Sequence, residues 1–328
     1  MKALITGIGG QDGRLLSSHL VDLGYEVYGV SSPKRRTDRP ENVFHVDLAD
    51  FKATTDLIRA VSPDEIYHLS ALHHSSEYNV NSYFSLVTES LRANVLSTLN
   101  LLEACSSFVP SVRLFFASSA QIFGDCSVSP QNEFTPRNPL SLYASTKLMS
   151  MNICSYYRSN RNLFVSTGIL YNHESSLRDS GYVSKKIVAG LVRILNHETK
   201  ELRLGDLDAQ VDWGYAGDYV EAMQKMIRLD NPDDFVVATG QTHTVREFLE
   251  LASKYVGVDW QEYVTVDGSI LQRRPTGILV GDSSKLRNLT GWVPKTSFEA
   301  MVRAMVEHEV RLRSAEEKSS LKSNESTN

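Results

Sequence analysis

Apolar residues follow two rhythms along this chain. Lys2-Ala3-Leu4-Ile5-Thr6, Glu26-Val27-Tyr28-Gly29-Val30, Glu65-Ile66-Tyr67-His68-Leu69 and Val112-Arg113-Leu114-Phe115-Phe116-Ala117 are short, nearly continuous apolar runs. Runs of that length predict strands buried on both faces, as in a parallel sheet. Between them the period lengthens. Leu15 to Val21 reads as a helix after the first strand. Ser90 to Cys105 reads as another, with Leu91, Val95, Leu99 and Leu102 at i, i+4, i+8 and i+11. In the second half, Ser184 to Leu195, Val245 to Tyr255 and Ser297 to Arg313 predict helices mixed with short strands, and Asp206 to Tyr219 a polar loop entering a helix. Alternating strands and helices predict an α/β fold with a doubly wound parallel sheet. A smaller C-terminal lobe, interleaved with the sheet domain, is expected to take a substrate.

The turn after the first strand adds chemistry. Gly7, Gly10 and Gly13 are spaced by three in Thr6-Gly7-Ile8-Gly9-Gly10-Gln11-Asp12-Gly13. A strand, a glycine turn and a helix form the context of a dinucleotide site of Rossmann type, where the backbone approaches a pyrophosphate at a helix N-terminus. The spacing differs from the GxGxxG of many dehydrogenases. NAD binders usually end the second strand on an acidic residue. Here Ser31-Ser32-Pro33-Lys34-Arg35-Arg36 follows instead. Hydroxyls and guanidinium groups suit a 2′-phosphate, so Ser31, Arg35 and Arg36 point to NADP.

A second signal lies about 130 residues on, in Tyr143-Ala144-Ser145-Thr146-Lys147. Four residues make one helical turn, so Tyr143 and Lys147 share a face. A nearby ammonium favours tyrosinate, making Tyr143 a plausible acid/base toward an alcohol. Tyrosine and lysine fall at this spacing by chance in many helices; the glycine turn lifts this pair above that background.

Bulk properties narrow the class. The 328 residues suffice for one large domain or two, and 41% hydrophobic with 22% charged is ordinary for a globular protein. A net charge of −5 gives no electrostatic reason to expect nucleic acid. Met1 leads directly into a core strand and no apolar run is long enough to span a bilayer, so a cytoplasmic protein without signal peptide or membrane partner is expected. Cys105, Cys126 and Cys154 show no metal-ligand spacing, and no metal is expected. Domain boundaries are placed at 1–165 for the NADP domain, with returns from about 210–240, and at 166–313 for the substrate lobe. The polar tail 314–328 reads as disordered.

These residues resemble the extended short-chain dehydrogenase/reductase family that modifies nucleotide sugars. The second half sharpens the likeness. Gly168-Ile169-Leu170-Tyr171-Asn172-His173-Glu174-Ser175, Leu204-Gly205-Asp206-Leu207-Asp208-Ala209, Asp212-Trp213-Gly214-Tyr215-Ala216-Gly217-Asp218-Tyr219-Val220, Ala238 to Phe248 and Arg274-Pro275-Thr276 resemble GDP-mannose 4,6-dehydratases across roughly residues 1–310. The resemblance implies a catalytic set of Ser119, Tyr143 and Lys147, with Tyr143 the base on the sugar C4 hydroxyl and Lys147 at the nicotinamide ribose. It places Gly7, Gly10, Gln11, Asp12, Gly13, Asp47 and Leu48 at the cofactor, and Asn172, Val183, Lys186 and Arg274 at the nucleotide diphosphate.

Two positions depart from that pattern. The dehydratases carry a glutamate two residues after the catalytic hydroxyl, to take the C5 proton; here it is Gln121, and a carboxamide is no general base near neutral pH. His74 or His173 are the candidate substitutes, though each reads more readily as a packing or hydrogen-bonding histidine. Val211 stands where an arginine precedes Asp-Trp-Gly. The loop after Arg36 also looks shorter than in the dehydratases, where it helps form a tetramer, so a homodimer is the expected assembly. The first expectation is GDP-mannose to GDP-4-keto-6-deoxymannose. An NADPH-dependent reductase of a GDP-4-keto-6-deoxy sugar stays open because of Gln121, followed by a C4 epimerase and a non-catalytic NADP-binding protein.

Overall fold

The computed structural model describes residues 1–32, 42–73, 82–270 and 277–325, with 270 and 316–325 as backbone alone. Arg35, Arg36, His74 and Arg274 lie outside the described residues. The sheet domain opens with β1 (Lys2–Thr6), α1 (Gln11–Asp22), β2 (Glu26–Ser31), β3 (Val43–His45), α2 (Phe51–Val61) and β4 (Glu65–His68). It continues through α3 (Tyr83–Ser90), α4 (Ser97–Phe108), β5 (Arg113–Ser119), α5 (Leu142–Asn160) and β6 (Phe164–Leu170). The chain then passes through β7 (Asn172–Glu174), α6 (Val183–Leu195), β8 (Leu202–Leu204), β9 (Gln210–Tyr215), α7 (Ala216–Ile227) and β10 (Asp234–Val237). It ends with β11 (Thr242–Thr244), α8 (Val245–Val256), β12 (Val264–Val266), α9 (Ser284–Thr290) and α10 (Phe298–Glu325).

Seven strands form one parallel sheet in the order β10-β6-β5-β4-β1-β2-β3. Its continuous apolar runs follow from burial on both faces. Leu114 and Phe116 pack on one side with Leu57, Leu101 and Met151; Phe115 and Ala117 pack on the other with Leu16, Leu20 and Met223. The doubly wound α/β class is therefore realised. The sheet reverses its order between β1 and β4, and ligands of such sheets bind outside the carboxyl ends of the strands at that reversal.

A second core gathers Ile187, Leu191, Trp213, Phe248, Val302 and Met305 between α6, α8 and α10. A three-stranded sheet in the order β11-β9-β7 and the pair β12-β8 border it. The segment expected to be a polar loop contains β9. Val211, Trp213 and Tyr215 alternate toward this core, while Asp212 turns away and is buried accepting hydrogen bonds from the amides of Thr239, Gly240 and Gly281. The strand period was present in the sequence but hidden by an aspartate and a glycine on its other face.

Two further expectations need correction. The helix read over Ser90 to Cys105 is interrupted by a wide π turn at Leu91–Leu96. That turn shifts the face of the helix: Val95 and Leu102 are buried, whereas Leu91 and Leu99 are exposed. The tail from Ser314 to Glu325, expected to be disordered, continues α10. Its polarity signals that it has no core to enter, but Ala315, Glu316, Glu317 and Lys318 are good helix formers, and extending an existing helix needs no new nucleus.

Candidate active site

The glycine turn is built without room for side chains. Gly7 has φ of +75°, and a Cβ there would come within 2.9 Å of the Ser70 nitrogen. A Cβ on Gly13 would sit 2.4 Å from the Gly7 carbonyl oxygen. No side chain among the described residues caps α1 at Gly10. The backbone at the start of that helix can thus face an anion such as a dinucleotide pyrophosphate.

Gln11 and Asp12, expected at the cofactor, also tie this turn to β7. The Gln11 amide donates to the His173 carbonyl at 3.0 Å and accepts from the Ser175 hydroxyl at 2.8 Å. His173 places Nδ1 at 2.6 Å from the Tyr171 carbonyl and Nε2 at 2.9 Å from an Asp12 carboxylate oxygen. Both acceptors require an N–H, so the ring is held as imidazolium. Burial opposes that charge, but Asp12 outweighs it and raises the pKa of His173; in return, burial opposes the Asp12 carboxylate while His173 lowers its pKa. A ring with both nitrogens donating has no lone pair for catalysis, which sets His173 aside as the missing base.

Ser119, at the end of β5, meets Tyr143, on the first turn of α5, where the Ser141 side chain caps the helix. Burial raises the Tyr143 pKa above that of an ordinary phenol; Arg178 and a hydrogen bond with Ser119 act against that rise. Lys147 is buried, donates to the Ala117 carbonyl at 2.7 Å and lies 5.8 Å from the centre of the Tyr143 ring. Burial lowers its pKa to about 8. The tyrosine and lysine thus lie side by side as their spacing suggests, and Arg178 adds a second cation that favours the ionised phenol. Gln121 is exposed; its backbone N–H donates to the Ser119 hydroxyl at 3.2 Å and its side-chain oxygen accepts from Ser141 at 3.5 Å.

Beyond Tyr143 runs a row of side chains that the sequence did not single out. The His73 ring meets Tyr143 edge-on, with centres 4.7 Å apart, and stacks on Tyr182 at 5.4 Å. The Arg178 guanidinium carbon sits 3.5 Å from the Tyr182 ring centre, and its Nε pairs with the buried Glu174 at 3.0 Å. Glu174 also accepts from Ser184 at 2.6 Å. One signal was available in advance: a carboxylate following the apolar run of β6 must be paired if buried, and Arg178 lies four residues on.

The remaining expected contacts are spread around this centre. Ser31 ends β2, nearly buried. Asp47 pairs with Arg92 at 2.7 Å and accepts from the Ala49 amide; the Leu48 carbonyl accepts from Thr54 and Asn100. Asn172 is exposed on β7, and Val183 and Lys186 lie on the first turn of α6, half-buried. Val211 packs against the lobe core.

A parallel sheet with a glycine turn, and serine, tyrosine and lysine gathered at the end of β5, defines an enzyme of the short-chain dehydrogenase/reductase type. The family model for GDP-mannose 4,6 dehydratase matches residues 4–305. GDP-mannose 4,6 dehydratase 2 of Arabidopsis thaliana is 38% identical over 333 residues, covering 94% of this chain and 87% of that one. The Homo sapiens GDP-mannose 4,6 dehydratase is 36% identical over 345 residues, covering 94% and 91%. RMD from Pseudomonas aeruginosa, solved with NADPH, superposes with a TM-score of 0.79 at 22% identity, covering 94% and 99%. The chain belongs to the GDP-mannose 4,6-dehydratase family.

Proposed function

We propose that this protein converts GDP-mannose to GDP-4-keto-6-deoxymannose with a resident NADP. The observation that carries this is the Ser119–Tyr143 contact at the end of β5, one helical turn from the buried Lys147. Tyr143 takes the proton of the sugar C4 hydroxyl, with Arg178 and the Ser119 hydrogen bond favouring its ionised form against burial, and Ser119 positions that hydroxyl. When bound, NADP would supply the hydride acceptor and donor for an exchange between C4 and C6. Gly7, Gly10, Gln11, Asp12 and Gly13 would hold its diphosphate, Asp47 and Leu48 its adenine, Lys147 its nicotinamide ribose, and Ser31, Arg35 and Arg36 its 2′-phosphate. Asn172, Val183, Lys186 and Arg274 would face the GDP. The alternative reductase rests on Gln121 alone, because reduction of a 4-keto sugar needs no base at C5.

The working form is proposed to be a cytoplasmic homodimer. α3 and its continuation leave Tyr83, Phe84, Val87 and Leu91 exposed, an apolar face that a second copy would cover. Among the described residues no helix is long and apolar enough to cross a membrane. Incubation with GDP-mannose and NADP, followed by mass spectrometry, tests the reaction. A product lighter by one water is expected. Intact GDP-mannose, with an NADPH-dependent loss of a GDP-4-keto-6-deoxy sugar, would establish the reductase instead.

A further inference from the structure

A dinucleotide site tells NADP from NAD at the ribose of its adenosine half, which lies at the carboxyl end of the second strand. Here neither β2 nor its neighbour β3 ends on an acid: β2 closes on Ser31 and β3 on His45. A carboxylate there would accept the ribose hydroxyls of NAD and repel a 2′-phosphate. An imidazole can donate to that phosphate instead.

The backbone brings these two residues together. Ser31 and His45 are register partners on parallel strands, which lie about 4.8 Å apart. Side chains alternate along a strand. Phe44 and Val46 pack with Tyr28 on one face of the sheet, so His45 between them points to the other. That other face is the one that α1 covers, where Val27 packs with Leu16 and Leu20, and Gly29 and Ser31 follow Val27 in alternation. The glycine turn lies against the same face. A Cβ on Gly29 would come within 2.6 Å of the Ile8 side chain, and the Gly7 and Ile8 N–H groups both donate to the Val30 carbonyl, at 2.9 and 3.3 Å. His45 thus stands beside the glycine turn, one strand beyond Ser31.

Its ring is not spent on holding the fold. Nδ1 is shielded from solvent and has no hydrogen-bond partner among the described residues. A hydrogen on that nitrogen would lack an acceptor, so the ring carries its hydrogen on Nε2, at the open edge of a half-buried side chain. Two residues on, the Asp47 carboxylate is paired with Arg92 at 2.7 Å, which offsets its repulsion of an incoming anion.

We propose that His45 selects NADP over NAD: its Nε2–H donates to the 2′-phosphate, beside Ser31. This rests on the NADP assignment above and is independent of the reaction that the sugar undergoes. The selection follows from charge. NADP offers phosphate oxygens where NAD offers a neutral hydroxyl, and a hydrogen bond to an ionised acceptor is roughly twice as strong as one between neutral groups.

The test titrates full-length protein, stripped of nucleotide, with NADP, NAD, adenosine 2′,5′-bisphosphate and AMP by calorimetry. His45→Phe removes the donor and keeps a ring; His45→Ala removes both, and decides the matter if phenylalanine disturbs folding. In these variants NADP and the bisphosphate should bind about 10- to 100-fold more weakly, with NAD and AMP within about twofold of wild type. His45→Gln, which restores an N–H without the ring, should recover part of the preference for NADP. A wild-type preference retained in His45→Phe and His45→Ala overturns the proposal. So does an equal loss for NADP and NAD, which would mark a packing role. Wild-type protein that binds NAD as tightly as NADP overturns the NADP assignment itself, and the role of His45 with it.

Discussion

Around the glycine turn, polar groups are fixed by short directional bonds: Gln11 to His173 and Ser175, Asp12 to His173, all between 2.8 and 3.0 Å. Across Tyr143, ring faces predominate, His73 on Tyr182 and Arg178 on the same tyrosine, with polar links that include a 3.4 Å hydroxyl contact and the 3.0 Å pairing of Arg178 with Glu174. The first region orders a backbone that must approach a diphosphate, and hydrogen bonds with fixed angles suit that task. The second must accommodate a sugar whose ring changes shape as C4 and C5 become trigonal. Stacked rings can slide by fractions of an ångström at little cost, whereas bonded pairs cannot.

That contrast can be broken by mutation. The largest effect is expected at the junction of the two regions: Tyr143→Phe should lower turnover about 10²–10⁴-fold with nucleotide binding retained, measured by steady-state kinetics and calorimetry. Near-wild-type activity would remove Tyr143 from the chemistry. On the bonded side, Asp12→Asn should cost on the order of 3 kcal/mol of stability, because it leaves a charged histidine unpaired. The sign with pH follows from the shifts. His173 is raised above its ordinary 6.5 and Asp12 lowered below its ordinary 3.8. The pair is therefore fully stabilising between those values; the stabilisation is lost as pH rises through the His173 pKa or falls through that of Asp12. Thermal melts of wild type and variant should differ most near pH 5 and converge in alkali.

Smaller effects sharpen the comparison. Arg35→Ala with Arg36→Ala should weaken NADP by about 10- to 100-fold and NAD by far less, read by titration. An unchanged preference would refute a 2′-phosphate contact. On the stacked side, Arg178→Lys keeps the charge but loses the planar stack and the guanidinium's fit to buried Glu174, so turnover should fall about tenfold and the melting temperature should fall with it.

The two regions were also unequally legible. β1, the glycine turn and the Tyr143–Lys147 pair are local patterns, where spacing along the chain fixes spacing in space. His73 and Tyr182 are separated by 109 residues, and no spacing rule joins them. Stacked rings impose no sequence period, and Arg178 stood between two segments that had drawn attention for other reasons. β9 was missed because Asp212 and Gly214 are residue types rare in strands, although Val211, Trp213 and Tyr215 keep the strand period. Lys147 lies on the same face of α5 as Tyr143, but Arg178, a second cation acting on Tyr143, comes from a distant loop that no local spacing announces.

The central claim is an internal transfer of hydrogen from C4 to C6 within one sugar. GDP-mannose carrying deuterium at C4, turned over in ordinary water with no added NADPH, tests it most directly. The account predicts a product that has lost water and carries the deuterium at C6. Deuterium absent from C6, or no product unless NADPH is supplied with a 4-keto sugar, would contradict it.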